Sequence, residues 1–186
     1  MRALKGDEPI SNPPVLTSDF LAREIYKRIT TLPFAHYFQV KPILVPTPNS
    51  SLTKPGTLWV PQRLARALVR KDLGKAVEEC LVRTKPLKKA ATSLAADRPT
   101  AIRHYESMDV QKVLSDPTEI LLVDDVVTRG ATLLGAANRL AEAFPNARIR
   151  AFAMMRTISN PAEFTGVVDP QIGTIKLAGG QTSRRP

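Results

Sequence analysis

The sequence predicts an α/β fold, with a mostly parallel sheet flanked by helices, and three observations predict it. A short apolar strand, "KPILVPTP" (41–48), runs through a loop into an amphipathic helix. A second apolar strand, from Glu119 to Asp124, does the same, and a third, "ARIRAFAMMRT" (147–157), follows that second helix. Strands that alternate with helices need crossover connections, which set the strands parallel and cover the sheet on both sides.

The elements follow in order. Residues 1–16, with Pro9, Pro13 and Pro14, read as an irregular arm. In "TSDFLAREIYKRITTL" (17–32), Thr17 or Ser18 can cap a helix whose Phe20, Leu21, Ile25 and Ile29 share one face. After the 41–48 strand, "NSSLTKPGT" has the Asn, Ser, Pro and Gly of an exposed loop. The helix in "LWVPQRLARALVRKDLG" (58–74) takes Pro61 in its first turn, turns Leu64 and Leu68 inward, keeps Arg63, Arg66 and Arg70 off that face, and can close at Gly74. "AVEECLVRT" carries a further strand, a basic loop follows, and a strand or helix begins near "RHYESMDV". From Glu119 the pattern is sharp: strand to Asp124, loop to Gly130, then a helix with Leu133, Ala137, Leu140 and Phe144 on one face, ending before Pro145. Residues 159–186 hold one short strand, "GTIKLA", or a hood over the site.

Composition narrows the function classes. At 186 residues and 43% hydrophobic content, the chain suits a single domain with a proper core. No apolar run approaches a membrane span and the N-terminus lacks an apolar signal region, so a soluble, cytoplasmic protein is expected. Cys80 is the single cysteine, and His36 and His104 are the two histidines, so neither a disulfide nor a zinc site is expected. His104, Cys80 and Trp59 read as structural residues, and Met154 and Met155 as space fillers. The net charge of +10 attracts nucleic acid and small polyphosphates alike. Much of it lies from Arg83 to Arg103, where Arg83, Lys85, Lys88, Lys89, Arg98 and Arg103 face one acid, Asp97, in a segment that reads as a mobile basic loop.

The chemistry concentrates in "ILLVDDVVTRGATL" (120–133). Open parallel sheets bind ligands at the carboxyl ends of their strands, and this stretch puts Asp124, Asp125, Thr128, Gly130 and Thr132 there. Backbone N–H groups converging on a helix N-terminus make an anion site, with glycine permitting close approach and threonine hydroxyls adding donors. Carboxylates repel such an anion, so they face hydroxyls or a cation instead. A sugar phosphate satisfies both halves.

These residues resemble the phosphoribosyl-diphosphate (PRPP) signature of type I phosphoribosyltransferases: an apolar strand, two acids and a Thr-x-Gly-x-Thr loop. More weakly, "PILVPTP", "GTLWVPQRLARALV" and "VRTKPLKKAATSLAADRPTAIRHYESM" are similar to parts of the ComF-like branch, so the resemblance covers roughly residues 40–155. It implies a Rossmann-like core over 17–158, Mg²⁺ bound through PRPP rather than by a protein metal site, and transfer of the phosphoribosyl group to a nitrogen nucleophile with release of pyrophosphate. Such an enzyme is a glycosyltransferase of nucleotide metabolism. Asp124 and Asp125 would hold the ribose hydroxyls, and Val127, Thr128, Arg129, Gly130, Ala131 and Thr132 would wrap the 5′ phosphate. Pro48, Asn49 and Ser50 would form the pyrophosphate loop. The basic segment would be a lid, in which Lys88 and Lys89 act in catalysis while Arg98 and Arg103 bind pyrophosphate. The resemblance also favours a homodimer. Arg129 departs from the family pattern, standing where a small hydroxyl residue is usual.

Other readings stay open. A module of the same fold that does not catalyse, but senses PRPP or a nucleotide or supports nucleic-acid processing as the ComF likeness suggests, also fits the charge. Receiver domains carry paired acids too, but on their first strand, whereas here about two thirds of the chain precedes the pair. No GxxxxGK[ST] motif is present, which removes the P-loop reading.

Overall fold

The computed structural model describes residues 1–52, 56–87, 98–111, 116–158, 166 and 169–185. Residues 1–16, expected to be irregular, hold a short helix, α1 (Arg2–Gly6), and an antiparallel pair, β1 (Pro9–Ile10) with β2 (Val15–Leu16). Asp7 organises them. Its left-handed backbone (φ 45°) ends α1, and its buried carboxylate accepts the Ser18 N–H at 2.8 Å and pairs with Arg63 at 3.1 Å. Asp7 thus caps the next helix, α2 (Thr17–Arg28), from outside, which leaves no capping role for the Thr17 or Ser18 side chain. A 3-10 turn (Ile29–Thr31) leads to α3 (Ala35–Gln39), whose Phe38 is buried.

After strand β3 (Ile43–Pro46) comes α4 (Val60–Arg70), with Pro61 in its first turn as expected. Its Leu64, Ala65 and Leu68 pack against the sheet, while Arg63, Arg66 and Arg70 reach out to Asp7, Glu79 and Asp19. The helix stops at Lys71 with Asp72 left-handed (φ 59°), not at Gly74. Gly74 has a different task, because a Cβ there would sit 2.7 Å from Leu44 Cγ. The next segment, expected as one strand, divides into β4 (Ala76–Val77), parallel to β3, and β5 (Leu81–Arg83). Arg83 therefore lies in a strand rather than in a loop. Helix α5 (Ala101–Glu106) follows, then β6 (Met108–Val110), which pairs antiparallel with β5.

Strand β7 (Glu119–Val127) continues past the Asp124 limit read from the sequence and pairs in parallel with β3 on one side and β8 (Arg148–Arg156) on the other. Helix α6 (Ala131–Ala143) joins them. The chain closes with a hairpin, β9 (Thr174–Ala178) and β10 (Gln181–Arg185), of which only the first strand was legible.

The result is a mixed α/β fold around a four-stranded parallel sheet ordered β4-β3-β7-β8. Leu44, Leu121, Val123 and Phe152 meet α2 and α4 on one face; Ile43, Val45, Ile120 and Leu122 meet α6 on the other. From β3 the chain winds outward to β4, and from β7 it winds the opposite way to β8. The carboxyl ends of β3 and β7 therefore flank the point where the winding reverses, the place where open α/β sheets leave a crevice. Among the described residues no helix is long and apolar enough to cross a membrane.

Candidate functional site

The reversal point is built around Thr47 and Asp124, residues 77 apart in sequence. Successive N–H groups of a strand point to alternate sides. Thr47 donates its N–H to the Val123 carbonyl of β7 at 2.9 Å, so Pro46 would have aimed toward β4, which pairs only as far as Leu44. The proline lacks an N–H where none is needed. The Thr47 hydroxyl donates to Asp124 Oδ1 at 2.9 Å, and the Asp125 N–H donates to the same oxygen at 2.9 Å. Trp59 fixes Thr47 from behind by donating its Nε1–H to the Thr47 carbonyl at 2.7 Å. Asp124 is buried, and that burial, reinforced by the Asp125 charge, pushes its carboxyl up to about 7 against the opposing Thr47 hydrogen bond. Asp125, the next residue, is half-buried and outside the cleft that Asp124 lines; its Oδ1 accepts the Val126 N–H at 2.8 Å. The two carboxyl groups still lie close enough to interact, although Asp124 alone of the pair lines the cleft.

Beyond β7 the chain enters the loop expected to bind phosphate. Thr128 and Arg129 are exposed, Gly130 is buried with φ 85°, and Ala131 opens α6. Only glycine takes that backbone readily, and a Cβ at Gly130 would also lie 2.5 Å from Ile175 Cδ1. The α6 N-terminus has no side-chain cap, so its free N–H groups face a cleft of about 50 Å³. That volume is several times the roughly 10–15 Å³ needed by a water. It suits a small oxyanion, and anything larger must extend out of it. Asp124, Thr132 and His104 form part of the wall, with Arg98 and Arg129 at the same opening. Neither arginine has an ion-pair partner among the described residues.

A buried polar group supports this cleft from the α5 side. Arg83 is 6% exposed; its Nε–H donates to the Asn49 carbonyl at 3.0 Å and its Nη1 to the Ser107 hydroxyl, while Nη2 is buried without a hydrogen-bond partner among the described residues. No carboxylate pairs with it among the described residues, and burial lowers its pKa to about 10. His104, also 6% exposed, brings Nε2 to 3.3 Å from Thr132 Oγ1. Burial first, and the Arg83 charge second, lower the imidazole to about 4, so it is neutral at physiological pH. Helix α5 reaches this position because Gly135 of α6 lets it approach: a Cβ there would lie 2.6 Å from the Ala101 carbonyl and 2.7 Å from His104 Cβ. Arg139 adds to the contact, stacking 4.0 Å over the Tyr105 ring.

The C-terminal hairpin forms the remaining wall. Gln181 and Thr182 line the cleft, Ile175 covers Gly130, and Arg184 donates Nε–H to the Thr128 carbonyl at 2.9 Å and Nη2 to the Thr157 carbonyl at 2.6 Å. The loop after β7 is thus held from both sides.

Of the residues picked from sequence, the fold brings Asp124, Val127, Thr128, Arg129, Gly130, Ala131, Thr132 and Arg98 together at one cleft. Pro48, Asn49 and Ser50 follow β3 and are not among the residues that line this cleft. Asn49 donates Nδ2–H to the Leu58 carbonyl at 3.1 Å, and the Ser50 carbonyl accepts the Leu87 N–H at 2.8 Å. Arg103 is exposed on α5, away from the cleft wall. Lys88, Lys89 and Asp97 lie outside the described residues. Sequence reasoning missed Thr47, Arg83, Gln181 and Thr182, and it took His104 for a residue with no functional neighbour. Thr47 alone carried a signal, as the first residue past a strand end. Cys80 is buried, with its thiol pushed up to about 11 by that burial, which matches an inert packing residue. No protein-family model matches the chain, and no curated protein matches it.

Proposed function

We propose that this chain is a phosphoribosyltransferase-type enzyme with a Rossmann-like type I phosphoribosyltransferase fold, which binds PRPP with Mg²⁺ and passes the phosphoribosyl group to a nitrogen nucleophile. One observation carries the reading: a buried carboxylate, Asp124, shares a cleft with the uncapped N-terminus of α6 at the reversal point of the sheet. An anion alone has no use for that carboxylate, and a neutral ligand has no use for the helix end with Arg98 and Arg129. A ribose phosphate uses both.

In this reading the 5′ phosphate takes the N–H groups at the start of α6 and the Thr132 hydroxyl. Ribose hydroxyls donate to Asp124, a contact that favours the charged carboxylate and offsets what burial costs it. Asp125 stands next along the strand for the neighbouring hydroxyl. Mg²⁺ would be held through the diphosphate oxygens of PRPP and water rather than by a protein metal site, so the ion would arrive with the substrate. When bound, it neutralises charge on the departing pyrophosphate. Breaking the bond from C1 to pyrophosphate develops positive charge on the ribose ring and negative charge on the leaving group. Catalysis is then chiefly positioning and electrostatics, with Arg98 and the Asn49 loop beside the leaving group.

Calorimetry with PRPP, with and without Mg²⁺, tests the proposal. Binding in the micromolar range that needs Mg²⁺ is expected, followed by pyrophosphate release when a suitable amine or base is supplied. No PRPP binding refutes the reading. Binding without turnover across a panel of nitrogen acceptors points to the sensing module instead.

A further inference from the structure

Two buried groups at the cleft keep unpaired atoms, Arg83 Nη2 and His104 Nδ1, and His104 also touches the loop side of the site through Thr132. We propose that His104 is a positioning residue: its Nε2–H is donated to Thr132 Oγ1, which turns the Thr132 hydroxyl to donate its own proton to an oxyanion seated at the N-terminus of α6. The inference rests on the phosphate reading of this cleft.

The argument concerns where one proton sits. A neutral imidazole carries a single N–H, and the hydrogen bond it makes decides which nitrogen holds it. Nε2 has a partner within reach, Thr132 Oγ1 at 3.3 Å, and Nδ1 has none among the described residues. If Nδ1 held the proton, a buried donor would be orphaned within range of the Arg83 cation. The positive charge favours a bare lone pair over another N–H, so the proton belongs on Nε2. A threonine that accepts from Nε2–H keeps its own hydrogen free, and Thr132, in the first turn of α6, can aim it into the cleft. Otherwise Thr132 would be free to turn its hydroxyl back on its own helix, as threonines commonly do. The close approach of α5 at Gly135 keeps the imidazole in register with Thr132.

The test uses the full chain with ribose 5-phosphate and inorganic phosphate as probes, and compares wild type, His104→Leu, His104→Gln, Thr132→Val and the double variant His104→Leu/Thr132→Val. A glutamine amide can donate from about the place of Nε2. His104→Leu should weaken ribose 5-phosphate binding about fivefold, the loss of one oriented neutral hydrogen bond, with His104→Gln within about twofold of wild type. Once Thr132 is valine, removing His104 should have no further effect. Nitrogen-15 NMR of the unliganded protein at neutral pH should show the Nε2–H tautomer at His104, a readout that survives if His104→Leu fails to fold. An Nδ1–H tautomer, equal affinity in His104→Leu, His104→Gln as weak as His104→Leu, or additive effects at the two positions overturns the role of His104 and leaves the phosphate reading intact. If wild type binds neither probe, both fall.

Discussion

Replacing Asp124 with asparagine should stabilise the protein above neutral pH while weakening the proposed ribose-phosphate binding. Asp124 titrates near 7 in the fold against 3.8 for an ordinary aspartate, because the sheet end buries it beside Asp125. The folded state therefore holds that proton more tightly than the unfolded chain does. The sign follows: the burden is absent below about pH 4, grows as pH rises, and is complete above about pH 7. At about 1.36 kcal/mol per pH unit the ceiling is roughly 4 kcal/mol. The cleft admits water and interior charges behave as if in an effective dielectric near 20, so about 2 kcal/mol is the expected effect. The asparagine side chain would keep Oδ1 as acceptor for the Thr47 hydroxyl and the Asp125 N–H, so geometry is conserved while the charge goes.

Urea unfolding of both proteins at pH 5, 6, 7 and 8 reads this directly, and the quantity to follow is the change in their stability difference with pH. Asp124→Asn should gain about 1 kcal/mol on wild type between pH 5 and pH 8, the rest of the effect being already present at pH 5. Asp125→Asn should shrink the dependence, because it removes the like charge beside Asp124. A stability difference that is flat across that interval refutes the argument. In the same samples, PRPP or ribose 5-phosphate affinity should fall at least about tenfold in Asp124→Asn, as a stability gain made at the expense of the site predicts.

Three other perturbations separate support from function. Gly130→Ala places a Cβ at φ 85° and 2.5 Å from Ile175 Cδ1; a loss of roughly 1–3 kcal/mol in urea unfolding and a weakened phosphate site in calorimetry are expected. Gly135→Ala meets backbone, the Ala101 carbonyl at 2.6 Å and the Tyr105 nitrogen at 2.8 Å, which cannot rotate away. The roughly 1 kcal/mol helix advantage of alanine should be outweighed, with net destabilisation of about 1–3 kcal/mol by thermal unfolding and loss of the His104 contact. Arg83→Met removes a buried cation and its bonds to the Asn49 carbonyl and Ser107 hydroxyl; these oppose one another, so stability in urea should change by less than about 1.5 kcal/mol. A loss above about 3 kcal/mol would show instead that an anionic group compensates Arg83 in the folded protein.

The sheet and its two long crossovers were legible because apolar strands of buried residues alternate with helices of clear period: Leu64 with Leu68, and Leu133 with Leu140, face the core as read. Half of the cleft was legible for a related reason, since β7, its acids and the loop to α6 are contiguous. The other half comes from residues far apart in the chain. Thr47 meets Asp124 across 77 positions, His104 meets Thr132 across 28, and Arg184 reaches Thr128 across 56. Local pattern has no access to such contacts. The split of "AVEECLVRT" into β4 and β5, and the pairing of β5 with β6, were not legible because three-residue strands carry almost no periodicity, and β10, "QTSRR", lacks apolar alternation altogether. The Thr17 or Ser18 cap of α2 failed because Asp7 took it over from outside the helix, and the Gly74 cap of α4 failed because the helix already stops at Lys71, with Asp72 left-handed.

What the sequence could not express is where the molecule breaks its own rules. Asp124 is a buried acid with a like charge beside it, Arg83 a buried cation with no carboxylate among the described residues, His104 a buried imidazole with an orphan nitrogen, and Gly130 a left-handed residue under a side chain. Each is unfavourable for the free protein, and each lies at, or is bonded to, the segments that follow β3 and β7. Packing alone gives no reason for that clustering, because the two apolar cores on either face of the sheet satisfy themselves without it. A ligand with hydroxyls and an oxyanion would offset at least two of the four at once, and that supports the site independently of any motif. Arg129, the residue that departs from the motif, belongs to the opposite class. It is exposed, it makes no hydrogen bond or ion pair among the described residues, and its replacement by alanine should leave folding untouched. Whatever Arg129 contributes must therefore be felt by the ligand alone.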